Sequence, residues 1–131
     1  MFWKRSTRQS PLNSGQWGEA QALHFLRGRG YTSVATNYRR RFGEVDIIAR
    51  DGHTLVFIEV KYRSHDRFGS PLEAVDGRKQ QRLCRVAAEY LQTQRLGECN
   101  ARFDVIAVSP GQPGEEAIID HVENAFDFLF E

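Results

Sequence analysis

The stretch Gly43-Glu44-Val45-Asp46-Ile47-Ile48-Ala49-Arg50-Asp51-Gly52-His53-Thr54-Leu55-Val56-Phe57-Ile58-Glu59-Val60-Lys61 decides the fold. Two runs rich in β-branched and aromatic residues are split by Arg50-Asp51-Gly52-His53. Asp-Gly between such runs is a strong short-range signal for a β-hairpin. Side chains alternate faces along a strand. Glu44, Asp46 and Ile48 therefore share one face of the first strand, and Leu55, Phe57, Glu59 and Lys61 share one face of the second. A two-residue Asp51-Gly52 loop places Arg50 opposite His53, Asp46 opposite Phe57 and Glu44 opposite Glu59. Both sets then lie on one face, with Asp46 one diagonal step from Glu59. Diagonal neighbours are roughly 7–8 Å apart, a span that a metal ion held by two carboxylates can bridge. A slip of one residue would send Asp46 to the other face.

The rest of these strands is apolar. Val45, Ile47 and Ala49 mark one covered face, as do Val56, Ile58 and Val60; Ile48, Leu55 and Phe57 accompany the charges on the other. Strands that are apolar on both faces predict a sheet covered on both sides. Acids and a lysine in such a place are costly unless they pair with one another or bind a cation. A cross-strand Glu–Lys or Asp–Lys ion pair at a strand end is one solution. A divalent cation is the other, and hard carboxylate oxygens favour magnesium or manganese over zinc or copper.

Working outward, residues 1–12 read as a flexible basic arm, because Lys, Arg, Ser, Gln and Pro give it little to bury. A helix is predicted from Asn13 or Ser14 to about Arg29, with Gly30 just past its end. Its apolar stripe is Ala22, Leu23 and Leu26. Glu19 precedes these by three, four and seven positions and so points towards the core; it also stands near the helix start, where the dipole favours an acid. Residues 31–38 read as a strand, and Arg39-Arg40-Arg41-Phe42 as a basic connection into the hairpin.

After Lys61 comes a polar loop, Tyr62 to Gly69, with Arg63, His65, Asp66 and Arg67. Ser70-Pro71-Leu72-Glu73 is a capping-box pattern that opens a short helical turn. A longer helix is expected from about Arg78 to Gln94, with Leu83, Cys84, Ala87 and Leu91 inward. Gln80 lies on that inward face, and Arg78, Lys79, Arg82 and Arg85 form a basic side suited to solvent or to phosphates. Phe103 to Val108 is a further strand, Ser109 to Glu116 a flexible turn, Ala117 to Val122 an edge strand, and Asn124 to Phe130 a short docking helix. The order is helix, three strands, helix, strand, then a small addition: an α/β domain with a mixed sheet sandwiched by helices, spanning residues 13–131.

Composition narrows the class. The chain has 131 residues, 40% hydrophobic and 27% charged, as expected of a soluble domain with its own core. No apolar run is long enough to cross a bilayer, and Met1-Phe2-Trp3-Lys4-Arg5-Ser6 lacks the apolar stretch of a secretory signal. Cys84 and Cys99 stand alone, without a Cys-x-x-Cys, which fits a cytoplasmic protein. The net charge of +1 conceals +7 over residues 1–42 and −7 over residues 98–131. A basic front half suits a phosphate backbone, though its arginines equally suit a solvated loop balanced by the acidic tail.

These residues together resemble the PD-(D/E)XK nuclease superfamily, whose core is αβββαβ and restriction-endonuclease-like. Asp46 matches the first acid of its motif and Glu59-Val60-Lys61 its (D/E)-x-K, while Val45 stands at the proline position. Residues 43–49 also look like the corresponding strand of archaeal Holliday junction resolvases. At closer range the chain resembles the YraN-like bacterial family through Gly18-Glu19, Asn37-Tyr38-Arg39, Gly43-Glu44-Val45-Asp46, Phe57-Ile58-Glu59-Val60-Lys61, Phe68-Gly69 and Arg102-Phe103-Asp104-Val105, pieces spread over residues 14–108.

The resemblance implies a Mg²⁺ (or Mn²⁺) held by Asp46 and Glu59, with the Val60 carbonyl as a third protein ligand and Glu19 binding a second cation or a bound water. Lys61 would orient or deprotonate a water or offset phosphorane charge, and Gln80, with neighbouring Lys79, would be the polar position on the following helix. The substrate implied is nucleic acid, DNA before RNA and branched DNA where the resolvases are the guide. Arg39, Arg40, Arg41, Arg63 and Lys79 are the candidates for contacting it, and no membrane is involved. A resolvase would act as a homodimer, since two symmetric strands are cut; the tail aromatics suit such an interface or the core. Two function classes follow: a metal-dependent endonuclease, and a catalytically silent nucleic-acid-binding module of the same fold.

Overall fold

A computed structural model describes residues 12–64, 70–96 and 99–128. The arm at 1–11, and His65, Asp66, Arg67, Phe68 and Gly69 of the polar loop, lie outside the described residues. Asn13 caps the first helix, α1 (Ser14–Gly28), through a reciprocal box with Gln16, and Gly30 follows its end at φ 90°. Three strands come next: β1 (Thr32–Arg40), β2 (Gly43–Asp51) and β3 (Thr54–Tyr62). A 3-10 turn, Pro71–Ala74, is capped by Ser70; α2 (Gly77–Thr93) is capped by Asp76, whose carboxylate accepts the Lys79 N–H at 2.9 Å. Strands β4 (Ala101–Ser109) and β5 (Ile118–Phe126) complete the fold. Among the described residues no helix is long and apolar enough to cross a membrane.

The sheet runs β1-β2-β3-β4-β5. It is antiparallel except between β3 and β4, which pair in parallel because α2 carries the chain back across one face. This is the restriction-endonuclease-like α/β core. Ile47, Ala49, Val56 and Ile58 form a buried cluster with Ala22 and Leu26 of α1. Ile48, Leu55, Phe57 and Phe103 form another with Leu83, Val86 and Ala87 of α2. The double-sided apolar strands are therefore explained by one helix on each face.

Three expectations need correction. The hairpin turn is Gly52-His53, with Asp51 paired to Thr54, because Gly52 takes a positive φ of 63° at the first turn position and His53 does not. Arg50 thus pairs with Leu55, not His53. Moving the turn by one position changes the partner sum by two, so faces are preserved while partners change. Second, Val45 packs with Ile48 and Phe57 on the α2 side, not with Ile47 and Ala49. Alternation breaks at Asp46, and β1 breaks at the same level: Asn37, between the Thr36↔Ile47 and Tyr38↔Val45 pairs, sits at φ 52°.

Third, the tail forms no helix over residues 124–128. Strand β5 continues to Phe126 through a bulge at Asn124 (φ 51°), whose N–H donates to Asp104 at 2.9 Å. Phe126 stacks on Phe103 at 4.6 Å and Phe128 meets the same ring at 4.5 Å, so both fill the α2-side core. Aromatics two residues apart suit a pleated face better than a helical stripe; residues 129–131 lie outside the described residues.

The far end of the sheet is tied by a buried polar network. Asp104 accepts from Arg102 (3.0 and 3.3 Å) and lies 2.8 Å from His121 Nε2, and Arg102 also donates to the Tyr31 hydroxyl at 2.7 Å and to Asp51. Burial alone would raise the Asp104 carboxyl, but the hydrogen bonds from His121, Arg102 and Asn124 outweigh it and hold the group below the usual carboxylate range.

Candidate active site

The β2–β3 ladder is paired from Asp51↔Thr54 to Ile47↔Ile58. Just beyond it the Val60 N–H donates to Asp46 Oδ2 at 2.8 Å, so a side chain takes the donor that a ladder bond would otherwise use. The Asp46 carboxylate is thereby wedged between the two strands. It lines two cavities. One, of about 200 Å³ on the α2 side, includes Glu44, Glu59, Lys79 and Arg82; the other, of about 360 Å³ on the α1 side, includes Gln16, Glu19, Asn37 and Val60.

Asp46 therefore meets Glu59 by a different route from the diagonal pairing expected. Phe57 pairs with Ile48, and the register continued one step past Ile47↔Ile58 would set Asp46 opposite Glu59. The kink at Asn37 and Asp46 then turns its carboxylate into the gap, where both faces reach it. Burial raises the Asp46 carboxyl from 3.8 to about 7, helped by the negative charge of Glu59 and then of Glu19 and Glu44, against the opposing Val60 N–H bond. A carboxylate so destabilised is a natural acceptor for a proton or a metal cation.

The neighbouring acids are each held. Glu59 is buried, with its Oε2 2.5 Å from Lys79 Nζ. Glu19 accepts from Asn37 Nδ2 at 3.0 Å, and Glu44 pairs with Arg39 at 3.3 Å. Thus Asp46 shares one cavity with Glu59 and Glu44 and the other with Glu19 and Val60, so the expected residues are divided between the two faces of the sheet. Among the described residues no group of three or more His, Cys, Asp or Glu side chains is arranged to hold a metal unaided. Asp46 and Glu59, which line one cavity together, carry oxygen donors of the kind that a mostly hydrated magnesium ion could accept.

Other candidates sit elsewhere. Lys61 is exposed, lines neither cavity and makes no ion pair among the described residues. Gln80 donates to the Val75 carbonyl at 3.1 Å and also lines neither cavity. Arg40 pairs with Glu89 at 3.1 Å and lies over the Tyr38 ring, Arg41 is exposed, and the half-buried Arg63 gives its main-chain N–H to Val108 at 2.8 Å. Arg82 and Asn37 are site-lining residues that sequence reasoning did not single out as such. The spacing of Arg82 three residues after Lys79 was an available signal, whereas the Asn37 contact arises from the kink.

Comparison with known proteins identifies the family. A family profile described as "Uncharacterised protein family UPF0102" matches residues 18–108. A UPF0102 protein of Syntrophus aciditrophicus is 47% identical over 119 residues, covering 91% of this chain and 92% of the relative. One from Alkaliphilus oremlandii is 47% identical over 114 residues, covering 86% and 96%. A UPF0102 protein of Pseudomonas putida is 41% identical over 119 residues, covering 90% and 96%. With the matched region running from Gly18 beside Glu19, through the Asp46 and Glu59 strands, to Val108 at the end of β4, the chain belongs to the UPF0102 family.

Proposed function

We propose that the protein is a magnesium- or manganese-dependent endonuclease that hydrolyses phosphodiester bonds in nucleic acid, with DNA as the first substrate to test and the cytoplasm as its location. The observation that supports this best is the Asp46 carboxylate, buried in a gap between strands and shared by cavities that contain Glu59 and Glu19. A structural ion pair needs no such concentration of acids. A bound divalent cation polarises a phosphoryl oxygen and lowers the pKa of a coordinated water. Asp46 and Glu59 supply the anionic oxygens for it, with Val60 and Glu19 adjacent. Lys61, exposed two residues beyond Glu59, has an ammonium available to an approaching phosphate. Arg41 and Arg63 extend positive charge near the same end of the sheet.

Purified protein incubated with Mg²⁺ or Mn²⁺ and with branched, single-stranded and duplex DNA tests this reading. Cleavage that disappears in Asp46→Ala and Glu59→Ala variants is the expected result. Cleavage that persists unchanged in Glu59→Ala and Lys61→Ala would point to a contaminant and remove the enzyme reading. The silent binding module has one observation in its favour, the Lys79 ammonium already seated on Glu59. Nucleic-acid binding with no heat of divalent-ion binding would support that alternative.

A further inference from the structure

Lys61 follows Glu59 on the same strand, yet the ammonium that meets the Glu59 carboxylate comes from helix α2. Lys79 Nζ is 2.5 Å from Glu59 Oε2. The two ends of the pair differ: the Lys79 side chain is 42% exposed and that of Glu59 is 10% exposed. The lysine therefore reaches from the cavity mouth down to a carboxylate that cannot leave. Its backbone is fixed at the start of α2 by the Asp76 cap. Leu83, one turn on, is buried and lines the same cavity. The anchored backbone leaves a four-carbon stem as the mobile part. Lysine is suited to this because its charge is compact and its stem flexible, whereas arginine favours a rigid bidentate fork.

Charge balance explains why the pair exists. The cavity holds Glu44, Asp46 and Glu59 against Lys79 and Arg82. Glu44 is already taken by Arg39. Glu59 has no cationic partner other than Lys79 among the described residues. A buried carboxylate without a partner is strongly unfavourable, and a cation standing at Glu59 relieves that cost. An ammonium and a divalent cation drawn to the same carboxylate repel one another, so a metal at Glu59 weakens the hold of Lys79 on it.

We infer that Lys79 is an exchangeable counter-ion: it holds Glu59 when no metal is present, yields that position to a divalent cation, and then turns its ammonium to a substrate phosphate at the cavity mouth. This inference rests on the metal-dependent reading proposed above. Lys79 acts on the metal site through Glu59 and on the substrate by direct contact with a phosphate. It makes two opposite contributions. Its competition weakens metal binding by the reciprocal of the fraction of molecules in which Glu59 is free of it. Its charge strengthens binding of the polyanion and adds to the salt dependence.

Calorimetric titration of the full chain with Mn²⁺ alone, without nucleic acid, tests the exchange. Lys79→Gln should bind Mn²⁺ roughly five- to tenfold more tightly than wild type, a change expected when a competing state is removed. Lys79→Arg, which keeps the charge, should stay close to wild type. Arg85→Gln, which removes a charge elsewhere on α2, should change the affinity by less than about twofold, since that charge is distant and solvent-screened. Binding of an oligonucleotide in Ca²⁺ over a salt series should be weaker for Lys79→Gln, with the logarithmic salt slope smaller by about one. Unchanged or weaker Mn²⁺ binding by a folded Lys79→Gln overturns the exchange while leaving the metal reading intact. An absence of Mn²⁺ binding by wild type and Lys79→Gln alike overturns both. Urea midpoints for each variant confirm that the compared proteins are folded.

Discussion

Replacing Asp46 by Asn should stabilise the metal-free protein at alkaline pH. In the native structure the Asp46 carboxyl is raised from 3.8 to about 7, by burial first and then by the negative charge of Glu59, Glu19 and Glu44. A carboxyl that holds its proton more tightly when folded contributes stability that is fully present below its unfolded value, near pH 4. That stability is lost as the pH rises through 7. The difference between 3.8 and about 7 corresponds to roughly 4 kcal/mol at a pH above both values. The asparagine amide would keep an oxygen to accept the Val60 N–H and carry no charge. Part of the gain is lost with the stronger bond that a carboxylate makes to that N–H, so a net increase of about 2–4 kcal/mol is expected at pH 8.5. The measurement is urea unfolding in EDTA from pH 4 to 8.5. The advantage of Asp46→Asn should grow with pH and vanish near pH 4. Added Mg²⁺ should stabilise wild type and not the variant, because only a state that binds a ligand gains from it. A variant no more stable than wild type at pH 8.5, or a difference independent of pH, would refute the argument.

Three further outcomes follow from the packing. Arg102→Met leaves Asp104 as a buried carboxylate held only by His121 and the Asn124 N–H; it should cost about 3–5 kcal/mol in urea unfolding, as does removing one partner of a buried ion pair. Phe103→Ala removes the ring on which Phe57, Phe126 and Phe128 converge, for a loss of about 3–5 kcal/mol by the same assay. Asn13→Ala breaks the reciprocal cap with Gln16, which should cost about 1 kcal/mol and raise amide exchange in the first turn of α1 without affecting α2.

Local signals in the chain located most of the elements. Asn13 and Ser14 marked the start of α1, Ser70-Pro71 the short turn, and Asp51-Gly52 a hairpin near its true position. The apolar runs on both faces of β2 and β3 foretold a helix on each side. The tail misled because Phe126 and Phe128 were assigned to a helix. Their partners, Phe103 and Phe57, are distant in sequence, and no local pattern reveals a sheet face waiting to be filled.

The site divides in the same way. Alternation by two residues determined from sequence alone that Asp46 and Glu59 belong to neighbouring strands with the same parity, and helical spacing turned Glu19 towards them. Parity survives a shift of the turn by one position, but alternation breaks at Asp46, so the acids meet through the kink and not through the expected pairing. Only the tertiary structure decided which atoms touch. The paired kink at Asn37 and Asp46 opens the strands and wedges the carboxylate between two cavities. The packing of α2 against β2 and β3 brings Lys79 to Glu59 and leaves Lys61 exposed. Such contacts depend on how whole elements are placed over one another, and that placement is set by the shape of the shared core, which no short stretch of sequence encodes.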